Sequence, residues 1–98
     1  MKNKITMIVN STINEKEPEA LEFYTQNAGT ILKAHRGKLI AKYTNLHSIT
    51  QKALQNNIMI MEFDNKDIID ALSTGKEYQS LLHYRNKAFK SISISFVD

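Results

Sequence analysis

The segment from Ile58 to Val97 decides the fold, and it opens with the apolar run Ile58-Met59-Ile60-Met61-Glu62-Phe63. It closes with Ile92-Ser93-Ile94-Ser95-Phe96-Val97, in which apolar and serine residues alternate as in a half-buried strand. A helical region that is interrupted at Ser73-Thr74-Gly75 lies between the two runs. This half of the chain therefore predicts a strand, a broken helix and a second strand.

The first half of the chain predicts a strand followed by a helix. Residues Ile5 to Ile13 alternate as a strand does, and a helix follows from Pro18, since proline suits a first helical turn. Gly37 is placed just after the last turn, where glycine commonly ends a helix. Gly29 lies inside this helix, and we interpret it as a mark of close packing against the sheet.

A polar link joins the second and third strands. The second strand is expected from Lys38 to about Thr44, and the turn of the link is expected at Gln55-Asn56-Asn57. Alternation in the second strand predicts two faces, with Leu39, Ala41 and Tyr43 toward the helices and Lys38, Ile40 and Lys42 on the other side. Asp64 or Asn65 is expected to cap the next helix, whose second part runs to Lys90.

The order β-α-β-β-α-β predicts an α+β, ferredoxin-like fold with a four-stranded antiparallel sheet and both helices on one face. At 98 residues the chain fits one domain, residues 1–98. The second face of the sheet would mix apolar and polar side chains: Ile8, Ile40, Ile58, Ile60, Asn10, Lys42, Glu62, Ser93 and Ser95. A contiguous apolar patch is unusual on a monomer, so we expect a homodimer, a dimeric α/β barrel whose paired sheets enclose a partly polar cavity.

Composition excludes several classes of function. Thirteen lysines and arginines stand against ten acidic residues and are spread along the chain, which argues against a nucleic-acid partner. The chain has no cysteine, so thiolate chemistry and disulfides are excluded. No segment approaches the ~20 apolar residues of a membrane span, and a cytoplasmic protein without a membrane partner is expected. Three histidines without ligand spacing and three glycines without a phosphate loop predict no metal and no cofactor.

Three residues are candidates for catalysis, namely His35, Lys42 and Glu62. His35 lies at the end of the first helix, where it either stabilises the helix terminus or acts as a general base. Lys42 and Glu62 are expected to point into the cavity from neighbouring strands. There they either orient an anionic substrate and transfer a proton or form a plain cross-strand ion pair.

The candidates for ligand binding are Asn10, Lys42, Glu62, Tyr78 and Arg85. Tyr78 and Arg85 are seven residues apart, which places them on one helix face two turns apart. Arg85 suits a carboxylate or a phosphate, and its structural alternative is an ion pair with Glu77, Glu62 or Asp64. Tyr78 either reaches the mouth of the cavity or packs in the core with its hydroxyl at the edge.

Several motifs resemble, in their order and spacing, the domain-of-unknown-function family thirteen-thirty: His35-Arg36-Gly37-Lys38, Ala41-Lys42, Glu62-Phe63, Glu77-Tyr78-Gln79 and Arg85. The family pattern is roughly a tyrosine, His-Gly-Gly, an arginine, Glu-Phe-Pro, Tyr-Gln and an arginine, and Tyr24 matches its first member. The resemblance implies a small dimeric α/β barrel, akin in fold to the antibiotic-biosynthesis monooxygenases. The chain departs from the pattern at Arg36, Lys42 and Asp64, which replace the glycine, arginine and proline of the family pattern.

These observations together predict a protein that binds, with or without transforming it, a small hydrophobic or carboxylate-bearing metabolite between the sheets. Any reaction would be cofactor-independent, of monooxygenase, isomerase or cyclase type, by analogy of fold alone. A non-catalytic binding or regulatory module and a structural dimer are the alternatives. An RNA-binding domain is disfavoured because the central strands lack the exposed aromatic residues that stack bases, and Tyr43 is expected on the helix side.

Overall fold

The computed structural model describes residues 4–50 and 57–98. Its elements, in chain order, are β1 (Ile5–Ile13), α1 (Pro18–Ala34), β2 (Lys38–Tyr43), β3 (Asn57–Phe63), α2 (Lys66–Thr74), α3 (Lys76–Gln79), α4 (Leu82–Ala88) and β4 (Phe89–Val97). The predicted order of strands and helical regions is confirmed. The turn expected at Gln55-Asn56-Asn57 falls mostly outside the described residues, and Asn57 itself begins β3.

The four strands form one antiparallel sheet in the order β2-β3-β1-β4. β1 lies at the centre and pairs along its length with both neighbours, so that Thr6 is opposite Glu62 in β3 and opposite Val97 in β4. The Cα trace measures 40 × 32 × 16 Å, a thickness that fits one sheet and one layer of helices. The described helices pack on one face, and the other face is left open.

The core lies between the helices and the inward face of the two central strands. Met7 of β1 and Phe63 of β3 are buried there against Tyr24 and Ile31 of α1 and Leu72 of α2. These residues recur at the two-residue spacing of a strand or the three-to-four-residue spacing of a helix. In β1, α1 and α2, the face that the spacing predicts to be inward is therefore the face that is buried.

Helix α1 ends in a different residue from the one predicted. His35 is the C-cap, and Arg36 follows it with a positive φ of 65°. The Arg36 N–H donates to Lys33 O and the Gly37 N–H donates to Leu32 O, both at 2.9 Å, which is the pattern of a Schellman motif. The prediction that Gly37 directly follows the end of the helix is therefore wrong, since Arg36 takes that left-handed position and Gly37 comes after it.

The two glycines of this region have roles opposite to those expected. A Cβ built on Gly37 would lie 2.8 Å from Phe63 Cε1, so Gly37 is required by close packing rather than by its backbone angle. A Cβ on Gly29 would meet no atom within 4 Å. The interpretation of Gly29 as a close-packing position is therefore wrong.

The second helical region begins as predicted and ends earlier. Asn65 caps α2, its side-chain oxygen accepting from the Ile68 N–H at 3.1 Å. The chain breaks again after α3, and α4 ends at Ala88 instead of running to Lys90. Phe89 is already extended because β1 is long enough to pair with it through Ile13. The length of the central strand thus fixes the start of β4.

Candidate functional site

The open face of the sheet is the surface that the described helices leave uncovered. It is formed by Thr6, Ile8, Asn10, Lys38, Ala41, Tyr43, Ile58, Ile60, Glu62, Ser93, Ser95 and Val97. Its centre is apolar, because Ile8 is directly opposite Ile60 in the neighbouring strand. Asn10 is opposite Ser93 on one side and Ile58 on the other, so amide and hydroxyl groups flank the apolar centre.

A register shift in β2 overturns the predicted position of Lys42. The pairing with β3 shifts between Leu39 and Ala41, and after this bulge Lys42 is opposite Met59. Met59 packs against the core, so Lys42 lies on the helix side and Glu62 on the open face. A bulge adds one residue to a strand and thereby reverses the faces of the residues that follow it. The expectation that Lys42 and Glu62 share a face is wrong.

The same shift brings Tyr43 to the open face. Tyr43 is opposite Ile58 and remains 59% exposed. Its predicted position on the helix side is therefore wrong for the same reason. The sequence gives little warning of the bulge, since residues 38–43 contain neither glycine nor proline.

Glu62 forms an ion pair with Lys4 at one end of the open face. Its carboxylate lies 3.2 Å from Lys4 Nζ, and Lys38 is opposite it in β2. Asn10 is distant, because Thr6, which is opposite Glu62, precedes Asn10 by four residues in β1. At ~3.3 Å per residue this separation is about 13 Å. The structure therefore places both candidates on one face without bringing them together.

Tyr78 and Arg85 meet in the helix layer, on the side of the sheet opposite to the open face. Arg85 Nη1 donates to the Tyr78 hydroxyl at 3.2 Å, and the guanidinium carbon lies 5.9 Å from the centre of the Tyr78 ring. The Tyr78 hydroxyl is in turn 2.9 Å from that of Tyr24 in α1. We call Tyr24, Tyr78 and Arg85 the tyrosine–arginine cluster. Tyr24 was not among the predicted site residues, although it matches the family pattern.

Burial controls the chemistry of this cluster. Tyr24 is 7% exposed and Tyr78 is 8% exposed. Burial raises the pKa of the Tyr24 phenol above its usual range, the hydrogen bond with Tyr78 raises it further, and the charge of Arg85 acts in the opposite direction. Tyr24 therefore keeps its phenolic proton at neutral pH.

The predicted ion pairs of Arg85 are not formed within the described residues. Asp64 instead lies 3.7 Å from Arg36 Nε, and Glu62 pairs with Lys4. Arg85 Nε is buried and has no hydrogen-bond partner in the described part of the chain. This cation is thus partly enclosed without an acid beside it.

His35 is half-buried at the end of α1. Its Nδ1 lies 2.9 Å from Ile31 O, and since a carbonyl only accepts, Nδ1 carries the proton. Its backbone N–H donates to the same carbonyl at 3.1 Å. This geometry fits the stabilising role at a helix terminus, and it leaves Nε2 as the nitrogen that would accept a proton in catalysis.

An open groove of about 530 Å³ lies on the outer surface between α1 and the α3–α4 region. Phe23 and Tyr84 line it, with ring centroids 4.2 Å apart, and Glu77 contributes a charge.

Within residues 4–50 and 57–98 no group of three or more histidine or acidic residues is arranged to hold a metal ion. No helix in those ranges is long and apolar enough to cross a membrane.

Solved structures share this architecture. A protein of unknown function from Rhodopseudomonas palustris has a TM-score of 0.82 at 12% identity, covering 99% of this chain and 82% of its own. A dimeric ferredoxin-like protein of unknown function from Jannaschia sp. CCS1 has a TM-score of 0.70 at 11% identity, covering 98% and 99%. SnoaB, a cofactor-independent oxygenase from Streptomyces nogalater, has a TM-score of 0.67 at 9% identity, covering 98% and 92%. At these identities the similarity shows the fold, and the ferredoxin-like prediction is confirmed.

Sequence comparison places the chain in a family. No curated protein matches the sequence. The model of the family described as Domain of unknown function (DUF1330) matches residues 6–98. Because this match spans nearly the whole chain, the protein belongs to the DUF1330 family, as the resemblance of its motifs predicted.

Proposed function

We propose that the chain forms a two-fold homodimer through the open face and binds a small hydrophobic or carboxylate-bearing metabolite between the two sheets. The observation that carries the proposal is the mixed composition of the open face, apolar at its centre and polar at its flank. The described helices cover only the opposite side, so nothing in the described protomer buries this face.

The apolar part of the open face supports the dimer. Ile8, Ile58 and Ile60 are adjacent in the two central strands. Tyr43 and Val97, 59% and 54% exposed, extend the apolar surface to both edge strands. Patches of this kind on soluble proteins commonly mark interaction sites, and a two-fold axis lets one face cover its own copy. The ferredoxin-like protein from Jannaschia is dimeric, which supports a dimer of this chain as well.

The polar part of the open face supports a ligand site inside the dimer. Asn10 and Ser93 lie beside the isoleucines, and Ser95 is opposite Ile8. If the two faces closed without solvent or ligand, their amide and hydroxyl groups would be buried without partners, which is costly. A small molecule with an apolar body and a polar end satisfies both parts. Binding sites of this composition are typical for small ligands.

The dimer is tested by mass and by one substitution with its matched control. We expect sedimentation at micromolar concentration to give twice the chain mass of 11.2 kDa. Ile60→Lys places a charge at the centre of the paired faces and should weaken dimerisation roughly a hundredfold or more. Ile94→Lys, the same change on the helix side of β4, should leave the dimer intact. A monomeric wild-type protein, or a dimer indifferent to Ile60→Lys, contradicts the proposal.

The ligand site is tested by a thermal-shift screen of aliphatic and aromatic carboxylic acids and their neutral esters. A ligand that binds only the folded protein raises the melting temperature. We expect Asn10→Leu to remove the shift given by the hits, whereas Asn86→Leu, on the exposed surface of α4, should retain it. A dimer that shows no hits would indicate a purely structural assembly, and hits that Asn10→Leu leaves unchanged would place ligand binding outside the open face.

A further inference from the structure

The tyrosine–arginine cluster contains an enclosed positive charge without a counter-ion. The two ion pairs of the described residues use Lys4 with Glu62 and Arg36 with Asp64, and neither involves Arg85. Arg85 lies partly buried, with its Nε enclosed and unpartnered. Removing a guanidinium from water without an acidic partner is costly. An anion placed against Arg85 would offset that cost.

The cluster also has more hydrogen-bond donors than acceptors. The Tyr24 and Tyr78 hydroxyls are 2.9 Å apart, so one of their two protons lies between the oxygens. The Tyr78 oxygen additionally accepts from Arg85 Nη1. The second hydroxyl proton and the Arg85 Nε–H remain without an acceptor among the described residues. An anion supplies only acceptors, which is the type of group that the cluster lacks.

We propose that Arg85, Tyr78 and Tyr24 form a binding site for the carboxylate group of a small molecule. The planar guanidinium matches the two oxygens of a carboxylate, and hydrogen bonds between opposite charges are the stronger ones. The tyrosine hydroxyls supply a neutral donor beside the charge. Because Arg85 is partly exposed, the carboxylate approaches it from the protein surface.

This site is independent of the proposed function. The cluster joins α1, α3 and α4 on the helix side of the sheet, whereas the proposed dimer and its ligand use the open face. Each protomer therefore carries a complete site. Loss of the dimer in Ile60→Lys should leave carboxylate binding at Arg85 unchanged, so the two proposals fail separately.

The experiment observes Arg85 directly in the wild-type protein. The chain has only two arginines, Arg36 and Arg85, so two arginine Nε–Hε signals are expected in a proton–nitrogen correlation spectrum and Arg36→Lys assigns them. Sodium benzoate and sodium acetate are titrated at constant ionic strength set with sodium chloride. We expect a saturable shift of the Arg85 signal and none of the Arg36 signal.

Variants test the roles of the three side chains. Arg85→Lys keeps the positive charge but removes the planar guanidinium that can bind both carboxylate oxygens. It should weaken benzoate binding about tenfold or more. Tyr78→Phe should weaken it several-fold, and Arg36→Lys should leave it unchanged within about twofold. The correlation spectrum of each variant reports whether that variant is folded. The wild-type titration tests the proposal even if a variant does not fold.

Three results would overturn the proposal. The first is an Arg85 signal that does not move, or does not saturate, with either carboxylate. The second is an equal response to chloride, which would indicate general screening of a cation. The third is tighter binding of inorganic phosphate than of both carboxylates, which would assign the site to a different anion.

Discussion

The hydroxyl oxygens of Tyr24 and Tyr78 lie 2.9 Å apart and join α1 to α3 inside the helix layer. The two rings meet edge to face with centroids 6.3 Å apart, and the Tyr24 ring also meets Phe89 edge to face at 5.6 Å. Each tyrosine thus combines an apolar body in the core with a polar group that needs a partner. The pair supplies that partner within the core and links the first helix of the chain to the last helical region.

The buried phenol of Tyr24 should make stability decrease at high pH. Its pKa is raised in the folded protein by burial, whereas in the unfolded chain it is the ordinary value of about 10. Above pH ~10 the unfolded state therefore loses a proton that the folded state keeps, and the free energy of unfolding falls by about 1.4 kcal/mol per pH unit.

Tyr24→Phe should remove this contribution. At neutral pH we expect a loss of about 1 kcal/mol for the hydrogen bond to Tyr78. Between pH ~9 and ~11 the variant should lose stability less steeply than the wild type, as measured by urea unfolding at each pH. If the free energies of unfolding of the two proteins fell in parallel with pH, Tyr24 would ionise equally in the folded and unfolded states, which contradicts the prediction.

Gly29→Ala should stabilise the protein. Gly29 lies inside α1, and a methyl group there meets no atom within 4 Å. Alanine is favoured over glycine in a helix interior by about 1 kcal/mol, so the free energy of unfolding should rise by about that amount in urea unfolding. Gly75→Ala is the matched control. Its methyl group would lie 3.1 Å from Ala71 O in an extended backbone, and no gain is expected there.

Arg36→Gly should also stabilise the protein, for a reason that lies in the backbone. The φ of 65° at Arg36 is in the left-handed region, where a side chain costs of order 1–3 kcal/mol. Glycine removes this strain but has about 0.5–1 kcal/mol more backbone entropy to lose, so a net gain of about 1 kcal/mol is expected. Arg36→Lys retains the strain and should give no gain. A gain in stability in Arg36→Lys would show that the effect comes from the arginine side chain and not from the backbone.

The fold was largely predictable because its determinants are local. Alternation identified three strands and a continuous apolar run identified β3. Pro18 and Asn65, one of the two predicted caps, mark the starts of the two helical regions as the structure has them. The faces of β2 were not predictable, because the bulge after Leu39 arises from pairing with β3 rather than from the residues of β2. That bulge moved Lys42 off the open face and Tyr43 onto it. A single register shift therefore changed the composition of the candidate site.

The tyrosine–arginine cluster was only half predictable. The spacing of seven residues predicted Tyr78 and Arg85 on one face of a single helix. They lie in two helices, α3 and α4, and are nevertheless in contact. Tyr24 lies 54 residues from Tyr78 in the chain, so only the packing of α1 on α3 reveals their hydrogen bond. Both tyrosines and Arg85 match members of the family pattern, which is therefore explained in part by one contact network.

Gly37 and Phe63 also match the family pattern, and the structure joins them. A Cβ on Gly37 would lie 2.8 Å from Phe63 Cε1 and 2.9 Å from Met61 Cε, and Phe63 is 1% exposed. The flexible end of the Met61 side chain can move away, but the buried Phe63 ring has little room to do so. Gly37→Ala should therefore destabilise the protein by about 1–3 kcal/mol in urea unfolding, as overpacking does.

A smaller residue at position 63 should relieve that clash. Phe63→Leu alone leaves a cavity and should lower the free energy of unfolding. The double variant with Gly37→Ala should lose less stability than the sum of the two single losses. We expect a coupling of about 1 kcal/mol in the double-mutant cycle. Phe63→Leu with Gly29→Ala is the control cycle, because Gly29 has no close neighbour and the two effects should be additive. Additivity in the Gly37 cycle as well would mean that backbone adjustment, and not the Phe63 ring, absorbs the added methyl group.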